Sequence, residues 1–489
     1  MTRLYSRRFL IASLLASTAT AACANAPERS LRPAVRGADA PRVVVAGSDR
    51  LVANAGLSGD TQFAVADLRS GKLLETRRAN AAVPPASVAK AVTALYAMEQ
   101  LGENFTFVTL LLGSGAVQNG ILQGDLTLVG GGDPTLDTDQ LAGMAAALKA
   151  KGITGISGRL NVYGGALPAI PYIDRDQPDY LGYNPTIGGL NANFNRVHFE
   201  WRRGADGYRV TMDARGKNYV PQIRTSVMDI VNRDLPVYAY SKRGGVDRWS
   251  VSRAALGGGG ARWLPVRNPA LYAGDVLRGV AAAQGVSLPA AREVTSIPQG
   301  SVLAQHRSPP LRDMARDMLL FSTNITAEVL GLRASNRDDL RASARAMSDW
   351  ANRKYGTSLK LVDHSGLGDT SRVSAGDMVK VMVGAKTGPL PQIMKDIRMR
   401  DANNKVIAGH PVKVQAKTGT LNFVSALSGY LTAADGRELA FAMFVTDVSR
   451  RAAIPKAQRE APRGAKSWNK GAKALQQKLL QRWGVAYPR

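Results

Sequence analysis

Hydrophobic residues follow helical spacing in some stretches of the chain and alternate in others. Ala91–Met98 is an apolar, helix-patterned run entered from Pro84-Pro85-Ala86. Leu311–Phe321, Ile325–Arg333, Ala375–Gly384 and a stripe of Trp468, Ala472, Leu475, Leu479 and Trp483 read as further helices. Val412–Ala416 alternates and predicts a strand. Phe423–Leu431, the Asp435-Gly436 turn and Leu439–Val445 together predict a β-hairpin beside it. Between these two helix-rich ends, Gly120–Val129, Gly158–Tyr163, Leu190–Trp201 and Gly207–Met212 read as strands. Leu141–Lys151 reads as a helix, Gly257–Gly260 as a loop, and Ala273–Gln284 as a helix that brings the chain back. Ser374, with Asp377 three residues on, has the form of a capping box.

At 489 residues, 45% hydrophobic and 21% charged, the chain can bury two or three domains. Arg3, Arg7 and Arg8 precede the apolar run Phe9–Ala22, which ends in small residues, so residues 1–26 read as an export signal. Cleavage after Ala24 or Ala26 fits. Thr20-Ala21-Ala22-Cys23 is a weak form of a lipoprotein box, which makes Cys23 a candidate lipid anchor on an exported, periplasmic or cell-envelope protein. Cys23 is the only cysteine, excluding an intrachain disulfide, a Cys-rich zinc site and a cysteine nucleophile. Lys and Arg total 64 against 38 Asp and Glu, a net charge of +26. That balance suits contact with an anionic polymer or a membrane surface, or is a solvated basic exterior; nothing in it specifies nucleic acid.

The candidate chemistry begins at Ser87-Val88-Ala89-Lys90. Positions three apart share a helix face, so the Lys90 amine can reach the Ser87 hydroxyl and act as its base once burial lowers its pKa. Ser-x-x-Lys alone is weak, and Ser467-Trp468-Asn469-Lys470 is a second match within the packing stripe of the last predicted helix. Two further motifs follow in order. Ser322-Thr323-Asn324 lies between two predicted helices, and Lys417-Thr418-Gly419-Thr420 ends the predicted strand. Lys386-Thr387-Gly388 is discounted because it follows a predicted helix and runs into Pro389.

Ser-x-x-Lys, Ser-Asp-Asn and Lys-Thr-Gly form the signature of penicillin-binding proteins and class A β-lactamases. From about Thr61 onward the chain resembles the class C low-molecular-mass penicillin-binding proteins, serine D-alanyl-D-alanine carboxypeptidases and endopeptidases. Gly124-Asp125-Leu126, Gly132-Asp133-Pro134-Thr135-Leu136, Ala327-Glu328 and Ser365-Gly366-Leu367 add to the likeness; Thr323 and His364 depart from it, at positions where the family has Asp and Gly. The resemblance implies an antiparallel sheet flanked by helices, an α/β (α+β) transpeptidase-like domain with two small, mainly β domains inserted. The expected division is catalytic residues 27–102, accessory residues 103–272 and catalytic residues 273–489. It further implies Ser87 as nucleophile, Lys90 as its base, Ser322 as proton relay, and Asn324 as ligand of the substrate amide. Lys417, Thr418 and Thr420 would hold the terminal carboxylate, with Gly419 between them and the N–H groups of Ser87 and Thr420 as oxyanion hole. Partners would be peptidoglycan stem peptides and cross-links, with β-lactam antibiotics as inhibitors and no metal or cofactor.

Other chemistries fit less well. There are four histidines, no Gly-x-Ser-x-Gly elbow and no His-Glu-x-x-His pair. The alternatives are a β-lactamase-type hydrolase, for which no Glu-x-x-Leu-Asn stretch is present, and a non-catalytic cell-wall-binding relative.

Overall fold

The computed structural model describes residues 46–401 and 403–487. The export signal, Cys23 and the first part of the expected catalytic segment lie outside the described residues. Six antiparallel strands form the main sheet, in the order Lys395–Asp396, Lys413–Leu421, Val424–Thr432, Glu438–Thr446, Asp60–Asp67 and Leu73–Arg77. The predicted hairpin is its centre: Val424–Thr432 pairs with Glu438–Thr446 and both are buried along nearly their whole length. Burial on both faces requires cover on both sides. Ala64, Ala66, Ala440 and Ala442 face the helices Ala89–Leu101, Leu311–Phe321, Asn324–Ser335, Leu340–Tyr355 and Ala375–Gly384, where small side chains let helix and sheet approach. Phe63, Val65, Phe441 and Met443, the alternate positions, face the C-terminal helix Ala465–Ala486 through Trp468, Leu475, Leu479 and Trp483. The stripe read from sequence is that packing face. Ser467 lies on the exposed side, bonded to the carbonyl of Gly464 at 3.0 Å, and Lys470 is exposed, so the second Ser-x-x-Lys is surface.

The inserted strands build a different core. A five-stranded sheet runs Ala291–Glu293, Leu160–Tyr163, Leu126–Val129, Val108–Gly113, Ser301–Arg307, and smaller sheets carry Arg196–Gly204 and Val246–Ser252 at their centres. All share one buried cluster that includes Leu128, Phe199, Trp249 and Tyr272. The helix read as Leu141–Lys151 spans Thr138–Ala150, extended upstream by a capping box between Asp137 and Gln140. Leu190–Trp201 is not one strand: a 3-10 turn at Ala192–Asn195 precedes Arg196–Gly204. Pro269–Ala283, the helix expected to lead back to the catalytic core, packs inside the inserted cluster through Val276, Leu277 and Val280. The chain rejoins the helices packed on the main sheet at Leu311. Among the described residues no helix is long and apolar enough to cross a membrane.

Candidate active site

Ser87 sits in a 3-10 turn, Ala86–Val88, that runs directly into the helix Ala89–Leu101. Ala86 adopts a positive φ of 48°, and the carbonyl it turns outward leaves no room for a side chain at Gly366, whose Cβ would fall 1.9 Å away. Gly419 has the same kind of role. A Cβ there would lie 3.0 Å from the Ser87 nitrogen, so the glycine of Lys-Thr-Gly is what lets the motif strand lie against the serine turn. Thr418 and Thr420 are exposed on one face of that strand and Lys417 is buried on the other, as the two-residue period demands.

Ser322 and Asn324 form the corner between two helices. Ser322 ends Leu311–Phe321 in the left-handed region (φ 62°), an unusual conformation for a non-glycine residue, and Asn324 opens Asn324–Ser335. The turn aims both side chains at the lysines. Lys90, fully buried, lies 2.9 Å from Ser87 Oγ, 2.8 Å from Asn324 Oδ1 and 2.8 Å from the Ser365 carbonyl. Asn324 Oδ1 and the Ser365 carbonyl only accept, so a neutral amine spends both N–H bonds on them and turns its lone pair to the Ser87 hydroxyl. Burial lowers the Lys90 pKa to about 8, against the opposing charges of Glu328 and Asp363.

The stem of Lys417 does reach the site. Its buried amine donates to Ser322 Oγ at 3.0 Å and to the Thr418 carbonyl at 2.7 Å. Burial, with the charge of Lys90 adding to it, holds its pKa down at about 6. Thus Ser87, Lys90 and Asn324 form one hydrogen-bonded set and Ser322 and Lys417 a second beside it, with Thr418 and Thr420 at the open side. Lys386 belongs elsewhere: its amine donates to the carbonyls of Leu68 (2.9 Å) and Arg69 (3.0 Å).

Beneath the group lie residues to which the sequence assigned no chemistry. The fully buried Glu328 carboxylate accepts the backbone N–H groups of His364 and Ser365, both at 2.9 Å, and so aims the Ser365 carbonyl at Lys90. Asp363 accepts the N–H groups of Gly366 (2.6 Å) and Gly368 (2.5 Å) and shapes the same loop. Burial raises the pKa of Glu328 and of Asp363, against the backbone N–H bonds and the nearby charge of Lys90, which favour their ionised forms. The available signal was that Glu328 stands four residues after Asn324, on the same helix face. His364 is buried and uncharged, with Nε2 2.7 Å from Ser343 Oγ, and occupies the space that Gly331 leaves: a Cβ on Gly331 would meet its Nδ1 at 2.1 Å. The insert also touches the site, where Asn324 Nδ2 donates to the Tyr183 carbonyl at 2.9 Å. No group of three or more His, Cys, Asp or Glu that could hold a metal occurs among the described residues.

Compared with known proteins, residues 48–463 match the D-Ala-D-Ala carboxypeptidase 3 (S13) family. The chain belongs to that family. This S13 enzyme is 26% identical over 399 residues to the D-alanyl-D-alanine carboxypeptidase DacB of Haemophilus influenzae, across 74% of this chain and 80% of that one. It is 27% identical over 427 residues to the D-alanyl-D-alanine carboxypeptidase of Actinomadura sp. (strain R39), across 78% and 76% of the two chains. Its fold matches the crystal structure of penicillin binding protein 4 (dacB) from Haemophilus influenzae with a TM-score of 0.67 at 22% identity, covering 88% of this chain and 99% of that one. A second structure of that protein, with a TM-score of 0.65, is a complex with a β-lactam. The S13 enzyme is a serine-type D-alanyl-D-alanine peptidase on the penicillin-binding fold that its motifs predict.

Proposed function

We propose that the enzyme hydrolyses D-alanyl-D-alanine bonds of peptidoglycan in the cell envelope through an acyl-enzyme on Ser87. The observation that carries this reading is the Lys90 amine, buried, 2.9 Å from Ser87 Oγ and with its other two directions taken by fixed acceptors. Lys90 takes the hydroxyl proton as Ser87 Oγ attacks the carbonyl of the penultimate D-alanine. The N–H groups of Ser87 and Thr420 receive the oxyanion, each worth about 100-fold or more in rate. The proton that Lys90 has taken is passed through Ser322, itself hydrogen-bonded to Lys417, to the leaving amine, and D-alanine departs with Lys90 neutral again. Water then attacks the ester and Ser87 is restored. Asn324 steadies Lys90 and turns its amide toward the substrate, exchanging the Tyr183 carbonyl for it.

The terminal carboxylate of the substrate supplies the charge that Lys417 lacks in the free site. Among the described residues Lys417 is buried beside no carboxylate and held near neutrality, so the negative charge of an entering carboxylate raises the proton affinity of its amine, which takes a proton from solvent and holds the carboxylate as a cation together with Thr418 and Thr420. A β-lactam carries the same carboxylate beside a strained amide and acylates the same serine. Residues from about Glu103 to Arg307 form the accessory region in this reading, since the inserted sheet closes only with Ser301–Arg307.

Two measurements test the proposal. A labelled penicillin should attach to Ser87, and labelling that survives Ser87→Ala or maps to Ser467 would overturn the site. Incubation with purified muropeptides, followed by mass spectrometry, should show loss of one D-alanine or of a cross-link; unchanged substrates alongside normal penicillin labelling would leave a binding protein rather than an enzyme.

A further inference from the structure

The C-terminal helix Ala465–Ala486 holds Lys466, Lys470, Lys473, Lys478 and Arg482, and neither Asp nor Glu. Lys466, Lys470 and Lys473 recur at i, i+4 and i+7 and form one stripe; these three and Lys478 are exposed. The arrangement costs the helix stability. Like charges four apart repel, and Lys466 stands in the first turn, where the helix dipole disfavours a cation. Among the described residues none of the four lysines has an ion-pair partner, while acids on flanking elements are engaged: Asp49 with Arg77, Glu75 with Arg482, and Asp401 with the N–H groups of Asn403 and Lys405. The cationic strip widens sideways, because Gln477 and Gln481 tie the helix to the backbone of Arg398 and Arg400.

Its position decides among anionic partners. The helix covers the sheet face opposite the one that packs the serine helix, so the lysines point away from the side on which Ser87 lies. A substrate strand gripped there would not feed the cleft. A broad anionic surface could lie against this face and leave the cleft open to the other side.

We propose that the lysine face of the C-terminal helix docks the protein on the anionic phospholipid headgroups of a bilayer surface. Lysine suits that partner: a point charge on a flexible stem follows mobile headgroups where the rigid arginine fork gains less. Each such lysine adds about fivefold in affinity for an anionic leaflet, and salt weakens the contact.

Vesicle sedimentation of the purified full chain tests this. Vesicles of phosphatidylcholine with about one-third phosphatidylglycerol should bind it far better than phosphatidylcholine alone, with the difference lost at high salt. Changing Lys466, Lys470, Lys473 and Lys478 together to Gln should cut the lipid-charge-dependent binding on the order of 600-fold, four factors of about five. Penicillin acylation of Ser87 should stay at the parent rate, showing that the variant is folded. Equal binding of parent and variant to the anionic vesicles would overturn the proposal, as would equal binding of the parent to the two vesicle types. Retention of the parent by soluble peptidoglycan strands through these lysines, with no preference for anionic vesicles, would replace the lipid partner with a polymer and overturn it too.

Discussion

Replacing Glu328 by Gln tests whether a fully buried carboxylate sets the state of Lys90, the base in the proposed mechanism. Two effects follow from the geometry. Gln has one oxygen to accept with, so one of the two backbone N–H groups at His364 and Ser365, each now bonded at 2.9 Å, loses its partner. A buried donor left unpaired costs about 1–3 kcal/mol, felt in the aim of the Ser365 carbonyl on Lys90. The second effect is electrostatic. The Glu328 charge opposes the burial that holds Lys90 at about 8, so its removal lets Lys90 lose its proton more easily. The shift should be on the order of one pH unit. The charged neighbour left to act on Lys90 is Asp363, which opposes the shift.

The assay is the second-order rate of acylation by a chromogenic cephalosporin between pH 5.5 and 9.5, with Tm measured alongside. In the parent the rate should climb with pH and level off above about 8, as Lys90 becomes neutral. In Glu328→Gln the plateau should drop about 5- to 150-fold while the climb moves to lower pH. The ratio of variant to parent is therefore larger at pH 6 than at pH 9. A purely structural residue would lower Tm and scale the rate equally at every pH. An unmoved climb, or one displaced to higher pH, would refute the role assigned to the charge.

Lys417→Met should abolish carboxylate-dependent turnover yet raise Tm, because it removes a buried amine without a carboxylate partner. The parent's folded amine titrates near 6 and an unfolded lysine near 10.5, so between those values the unfolded chain holds the extra proton and parent stability rises with pH by about 1.4 kcal/mol per unit. The variant's advantage should accordingly shrink from pH 6 to pH 9 in thermal melts, and a constant or growing advantage would contradict a depressed pKa. Gly419→Ala, whose Cβ would press on the Ser87 nitrogen at 3.0 Å, should slow acylation on the order of 100-fold with Tm within a few degrees of the parent. A parent-like rate would show that the two oxyanion donors are not set by that contact. Lys386→Ala should leave turnover unchanged and cost some stability through the Leu68 and Arg69 carbonyls it now satisfies; a large kinetic loss would show that the wrong Lys-Thr-Gly had been chosen.

What the sequence made legible was what periodicity and short spacing encode. Ser87 and Lys90 are three apart on a helical turn, Thr418 and Thr420 two apart on a strand, and the Trp468 to Trp483 stripe is a plain helical period, so each geometry follows from local backbone alone. The central hairpin was equally readable, since both strands are apolar and an Asp-Gly turn joins them. The return of the chain from the insert was not. Ala273–Gln284 has an apolar helical pattern that suits either core, and only the pairing of Ala291–Glu293 with Leu160–Val162 and of Ser301–Arg307 with Val108–Gly113 assigns it to the inserted one. Those pairings close over more than 100 residues of chain, and no local signal records them.

Glu328 shows the same limit at the site. A glutamate inside an apolar helix segment is conspicuous in sequence, but its meaning depends on the loop His364-Ser365, 36 and 37 residues away, folding over it. The cost of burying that carboxylate is met by two backbone N–H groups that would otherwise be unpaired themselves. Each side of the arrangement therefore needs the other, and together they fix one carbonyl 2.8 Å from the base. Lys90 thus receives its orientation from Asn324 and Ser365, and its readiness to lose a proton from burial opposed by Glu328 and Asp363. In the proposed mechanism the three motifs supply the groups that meet the substrate, and the loop between the second and third supplies the state in which the first can act.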